Sequence, residues 1–138
     1  MKISITMNIR TKFEMEFPFE TTISKLYEYI STDYGLAKWF ANKVEAQENE
    51  DIFRWEWDDI IVHTTLIKKV KNKSMRFRII ENENENEEEY FELLIDKNAI
   101  TDDIALVITD FANADEVDDY KLLWTLQAKE LGYLLGDE

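Results

Sequence analysis

The sequence predicts an α+β fold: an antiparallel sheet of about six or seven strands, two short helices after strand 1, and a long C-terminal helix. Three observations carry this. The apolar period is 2 in KFEMEFPF, turns helical from Ile23 to Phe40, returns to extended segments from about Val44 to Phe111, and is helical again from Asp115 to Leu135. The extended segments are separated by short polar pairs that join antiparallel neighbours. With only three glycines and one proline there is no linker and no break in composition, so residues 1–138 read as one domain, of which residues 1–11 are an N-terminal extension.

Phe13, Met15 and Phe17 alternate with Lys12, Glu14 and Glu16, the pattern of a half-buried strand, and Pro18 is expected to end it. Thr21 and Thr22 are caps for a helix in which Ile23, Leu26, Tyr27 and Ile30 lie on one face. A second helix is expected near Asp33 to Phe40, with Asp33 as its cap and Leu36, Trp39 and Phe40 turned inward. The meander then runs through a weak strand near Val44, Ile52 to Trp57, Ile60 to Val70, Met75 to Ile80, Tyr90 to Ile95 and Ile104 to Phe111, broken at Asp58-Asp59, Asn72-Lys73 and Asp102-Asp103. In the last helix Val117, Tyr120, Leu123, Trp124, Ala128, Leu131, Leu134 and Leu135 form one broad apolar face. Glu116, Asp118 and Asp119 suit the positive end of its dipole, and Gly136 can take the left-handed conformation that stops it.

The run ENENENEEE falls between two of these strands. Pairing about a turn near Glu85 would set Met75 opposite Ile95, Phe77 opposite Leu93 and Ile79 opposite Phe91 on the core face, with Arg78 opposite Glu92 on the other. The loop Asn82 to Glu88 has no glycine and lacks the ligand pattern of a calcium loop, so it reads as a solvated hairpin tip that also discourages edge-to-edge association.

Thirty acids against sixteen bases leave a formal charge of -14, which opposes binding to nucleic acid or anionic lipid. No cysteine is present, which removes disulfides, thiol nucleophiles and thiolate metal sites and suits a reducing, cytoplasmic setting. Neither a signal sequence nor a membrane span is recognisable.

Chemistry-bearing motifs are scarce. His63 is the lone histidine and, on a strand, reads as a packed or hydrogen-bonded side chain; one histidine without cysteine cannot build a zinc site. Asp58/Asp59 and Asp102/Asp103 lie in turns where water keeps their acidity ordinary, and phosphate loops and GxSxG turns are absent. No catalytic residue, metal or cofactor is assigned. Lys68 to Arg78 packs six bases into eleven positions, a solvated hairpin or else a docking patch for an acidic partner. Phe53, Trp55 and Trp57 share one strand face, either as core or as the wall of a cavity. Gln127 falls within the apolar face of the last helix, where its amide needs a partner, a water or a ligand. The expected ligand-binding set is Trp39, Phe53, Trp55, Trp57, Tyr120, Trp124 and Gln127.

The order strand, two short helices, meander and long helix, with LAKWF closing the second helix and KLLWTLQAKELGYLL on the last, resembles the START-like (SRPBCC) superfamily. The nearest likeness is to the compact branch related to heat-shock chaperone ATPase activators, with Trp39-Phe40 and Trp124 as the matching aromatics. Many relatives have Gly-Gly where this chain reads Glu48-Asn49-Glu50-Asp51. The resemblance implies the helix-grip fold, a curved sheet wrapped around the C-terminal helix, and a module that binds a small apolar or amphipathic molecule between them. Its alternative is a chaperone ATPase regulator or other protein-interaction module, and an enzyme ranks third. A monomer or homodimer is expected.

Overall fold

The computed structural model describes residues 10–47, 49, 51–82 and 89–136. In chain order these form β1 (Arg10–Phe19), α1 (Ile23–Ser31), α2 (Asp33–Leu36), β2 (Lys43–Gln47), β3 (Ile52–Trp57), β4 (Ile60–Val70), β5 (Ser74–Ile79), β6 (Phe91–Lys97), β7 (Ile104–Asn113) and α3 (Val117–Leu134). The seven described strands make one antiparallel sheet in the order β1-β7-β6-β5-β4-β3-β2. Strands β2 to β7 are the predicted meander. Strand β1 pairs with β7, so α1 and α2 carry the chain from one edge of the sheet to the other.

Local chemistry explains the two short helices. Thr22 caps α1 by accepting from the Lys25 amide at 3.1 Å, and Leu26 and Ile30 on its inner face have no exposure, a burial worth about 1.5–3 kcal/mol each. Thr32, not Asp33, caps α2: its hydroxyl accepts from the Gly35 amide and donates to the Glu28 carbonyl. Asp33 instead binds the Tyr34 and Ala46 amides. Helix α2 stops at Leu36, and residues 37–40 continue as turns that still bury Trp39 and Phe40. At Gly35 an added Cβ would strike the Glu28 carbonyl and lie 2.9 Å from Tyr29 Cα, so glycine lets the two helices touch.

Two strand expectations need correction. Strand β1 passes through Pro18 to Phe19, because an edge strand is bonded on one side only and tolerates the missing amide. The β5/β6 register is displaced by two residues: Met75 faces Leu93, Phe77 faces Phe91 and Ser74 faces Leu94. An even slip keeps Met75, Phe77, Phe91, Leu93 and Ile95 in the core but makes Arg76, not Arg78, the partner of Glu92, at 2.9 Å. The acidic tip itself lies mostly outside the described residues.

The core is the concave face of the sheet closed by the three helices. Phe53, Trp55, Met75, Phe77, Leu93, Leu106 and Ile108 are all buried there, and the C-terminal half of α3 seals it with Ala128, Leu131 and, just beyond the helix, Leu135. Gly136 ends the helix at φ 83°. Among the described residues no helix is long and apolar enough to cross a membrane.

Candidate functional site

Toward its N-terminal end α3 does not close on the sheet. Tyr120, Leu123, Trp124 and Gln127 from this half of the helix face Trp57 of β3, Ile60, Val62 and Thr64 of β4, Ile79 of β5, Tyr90 just ahead of β6, Phe91 of β6 and Asp110 of β7, around a cavity of about 620 Å³. That volume is in the range of small-molecule sites. The walls are mainly aromatic and aliphatic.

Phe40 forms the inner wall and organises it. Its ring stacks on Trp124 with centroids 4.9 Å apart and meets Trp55 and Trp57 edge-on at 5.1 and 5.3 Å. Its carbonyl accepts the Trp57 indole N–H at 2.6 Å and the Gln127 amide at 2.8 Å. Gln127 therefore ties α3 to the segment after α2, which accounts for a polar residue on that apolar face.

Asp58, Arg78 and a cluster around Asp110 interrupt the lining. Asp110 occupies the inner row of β7 with Ile104, Leu106, Ile108 and Ala112. One carboxylate oxygen accepts from the Trp124 indole at 2.9 Å and the other from the Phe111 amide at 2.7 Å. Burial pushes this carboxyl from 3.8 up to about 6; the two N–H donors and the Arg10 charge pull against the rise, and Glu89 adds to it. Arg10 is itself held by Glu89 through Nε and Nη2, at 2.9 to 3.1 Å, and by Asn113 at 3.2 Å. Burial also raises the Tyr120 phenol, helped by the charges of Glu116 and Asp110.

Of the residues expected from sequence, Trp57, Tyr120, Trp124 and Gln127 come together on this cavity. Phe53 and Trp55 do not line it. Both point inward from β3, as the strand period requires, but they lie deeper in the sheet, with Phe77 against both rings and the Trp55 indole bonded to Thr64 Oγ1 at 2.8 Å. Trp39 turns the other way, under α1, where its N–H meets the Tyr29 carbonyl at 2.9 Å; its neighbour Phe40 takes the cavity position. Sequence reasoning missed Phe40 as a wall residue, the Ile60, Val62, Thr64 face of β4, and Asp110. Period 2 in IALVITDFA contains the signal for Asp110, an acid in the middle of an inward-facing apolar row.

Of the remaining candidates Asp58 and Arg78 border this cavity, and the others lie away from it. His63 Nδ1 is 2.9 Å from Glu81 on the opposite sheet face, and Asp58 and Asp102 sit at φ 46° and 65° in their turns. Lysines 68, 69, 71 and 73 are exposed, whereas Arg76 is committed to Glu92 and to the Tyr90 ring at 4.1 Å. Among the described residues no three His, Asp or Glu side chains gather as a metal site.

A seven-stranded antiparallel sheet packed against a long C-terminal helix, with short helices after the first strand, is the helix-grip arrangement. The model of the START-like superfamily domain matches residues 7–137, and the chain belongs to that family. A Bacteroides fragilis protein solved in solution by NMR is 32% identical, with 88% of each chain covered and a TM-score of 0.62. The Aha1 dimer of Colwellia psychrerythraea is similar in fold, with 15% identity, 91% of this chain and 96% of that one covered and a TM-score of 0.71. So is the protein XoxI of Bacillus cereus, with 10% identity, 93% and 96% covered and a TM-score of 0.71. No curated protein matches the sequence.

Proposed function

We propose that this chain is a START-like module that binds a small, mostly apolar molecule in the cavity between the sheet and the first half of α3. The observation that carries the reading is the cavity itself. In a chain whose core is otherwise closed by large aromatics, about 620 Å³ stands open beside Phe40, Trp57 and Trp124, against the tight packing usual in protein interiors. Family membership supports it, since the fold is of a ligand-binding type. Aromatic side chains supply contact area, and the polar groups of the wall orient the ligand.

A thermal-shift screen of fatty alcohols, fatty acids, alkyl amines, sterols and aromatic metabolites tests this. A ligand at a hundred times its dissociation constant stabilises the fold by about 2.7 kcal/mol, which shifts the melting temperature measurably. The shift should be smaller in Trp57→Ala than in the wild type, and no shift with any class counts against the proposal.

A second reading, a chaperone regulator or other protein-interaction module, draws on a different surface. Leu122, Leu126 and Tyr133 are exposed on the side of α3 away from the cavity, at 61%, 57% and 58%. A chaperone recovered with the wild-type chain and lost with Leu122→Glu/Leu126→Glu would favour it.

A further inference from the structure

We propose that the polar group of the ligand is a cationic amine, docked against Asp110 and framed by the aromatic walls of the cavity. This rests on the ligand-binding reading and names the chemistry it selects. Asp110 is the member of the inner β7 row that is not apolar, and among the described residues its hydrogen bonds come from neutral donors, the Trp124 indole and the Phe111 amide. Each carboxylate oxygen has a further lone pair to offer.

The charged and titratable groups that bear on this carboxyl are Arg10 from β1, Glu89 ahead of β6 and Tyr120 from α3. The Arg10 guanidinium is engaged by Glu89 through two nitrogens, so it does not serve as a direct counter-ion to Asp110. With Asp110 ionised, the cavity is bordered by two positive side chains, Arg10 and Arg78, and three negative ones, Asp58, Glu89 and Asp110. Arg78 borders the same cavity, its Nε buried with no hydrogen-bond partner among the described residues, but its charge is not among those that shift Asp110.

The aromatic part of the wall agrees in sign. Phe40, Trp57, Tyr90, Tyr120 and Trp124 all border the space, and the electron-rich faces of such rings attract a cation while offering an anion nothing comparable. A carboxylate docked against Asp110 would set like charges side by side, so at this end of the cavity an alkyl amine fits where a fatty acid does not.

The test uses dodecylamine, dodecanol and dodecanoate, each below its micelle concentration, titrated into the wild-type chain and Asp110→Asn at about pH 8, where the amine is charged and Asp110 ionised. The amine should bind about tenfold tighter than the alcohol and the carboxylate weakest, with the amine advantage falling to about twofold or less in Asp110→Asn. Lowering the wild type to about pH 5 should shrink the advantage as well, because Asp110 then takes up a proton while the amine stays charged. If the alcohol binds and the amine binds no better, the inference fails and the ligand-binding reading survives. If none of the three binds, both fail. An amine advantage unchanged in Asp110→Asn would mean general attraction to an acidic surface and would also overturn the inference. Should Asp110→Asn not fold, the wild-type comparison at the two pH values decides by the same criterion.

Discussion

Replacing Asp110 by asparagine should change how stability depends on pH. The carboxyl rises from an ordinary 3.8 to about 6 on folding. Between these values the folded state holds a proton that the unfolded chain has released, so raising the pH favours unfolding; the contribution of Asp110 is fully present below about pH 4 and lost above about pH 6. A rise of roughly two pH units at ~1.36 kcal/mol each gives at most about 3 kcal/mol. Asparagine cannot accept from both the Trp124 indole and the Phe111 amide as two carboxylate oxygens do, and that loss costs about 1–3 kcal/mol at every pH. The absolute sign at one pH is thus a balance, but the difference between the two proteins is not. Measured by urea unfolding from about pH 4 to about pH 8, the stability of Asp110→Asn relative to wild type should climb by about 2–3 kcal/mol. Two curves that stay parallel across this range would refute the assignment of a carboxyl whose pKa folding raises.

Other substitutions follow from the same packing. Trp124→Ala should cost about 3–5 kcal/mol in denaturant unfolding, because it empties the stack on Phe40 and strips a donor from Asp110. His63→Gln, at an exposed hydrogen-bonded contact with Glu81, should cost less than about 1 kcal/mol, and equal losses would contradict the ranking. Gly35→Ala should destabilise by about 1–3 kcal/mol, since its Cβ meets the backbone of α1; an unchanged melting temperature would show that the helices part freely. Gln127→Leu should cost only about 0.5–1.5 kcal/mol, as Trp57 still donates to the Phe40 carbonyl, and a gain in stability would mean the amide bond there contributes nothing.

Much of the architecture was legible because it depends on local period. Strands β3 and β4 begin and end at the residues where alternation does, and Thr22 and Gly136 mark helix ends by side-chain and backbone chemistry that any window of sequence displays. Register was less legible. Counting inward from a turn assumed at Glu85 set Met75 opposite Ile95, whereas it faces Leu93; parity survives a two-residue slip, but the charge partner changes from Arg78 to Arg76. The family resemblance, drawn from Trp39-Phe40, Trp124 and the order of elements, agrees with the superfamily match.

The candidate site was half legible, for a reason of depth. Strand period shows that Phe53, Trp55 and Trp57 share the inner face, but not how far along the strand the gripping helix lifts away. Only Trp57, at the β3 end opposite Tyr120 to Gln127, meets open space. Likewise, helical period put Gln127 on the inner face of α3 but could not show the Phe40 carbonyl, 87 positions away, that satisfies it. Asp110 was overlooked because the expected strand stops at Phe111, one residue past it, and its isolation becomes evident only when the whole inner row of β7, which runs on to Asn113, is read together.

The four indole N–H groups provide the most direct test of a ligand between the sheet and α3. Trp39 donates to Tyr29, Trp55 to Thr64, Trp57 to Phe40 and Trp124 to Asp110, four different environments that should give four distinct indole signals in a nitrogen-proton correlation spectrum. Titration with dodecanol, and with dodecylamine, should move the Trp57 and Trp124 signals in a saturable way and leave those of Trp39 and Trp55 nearly still. Saturable shifts concentrated on Trp39 or Trp55, or no indole shift with either molecule, would contradict the account.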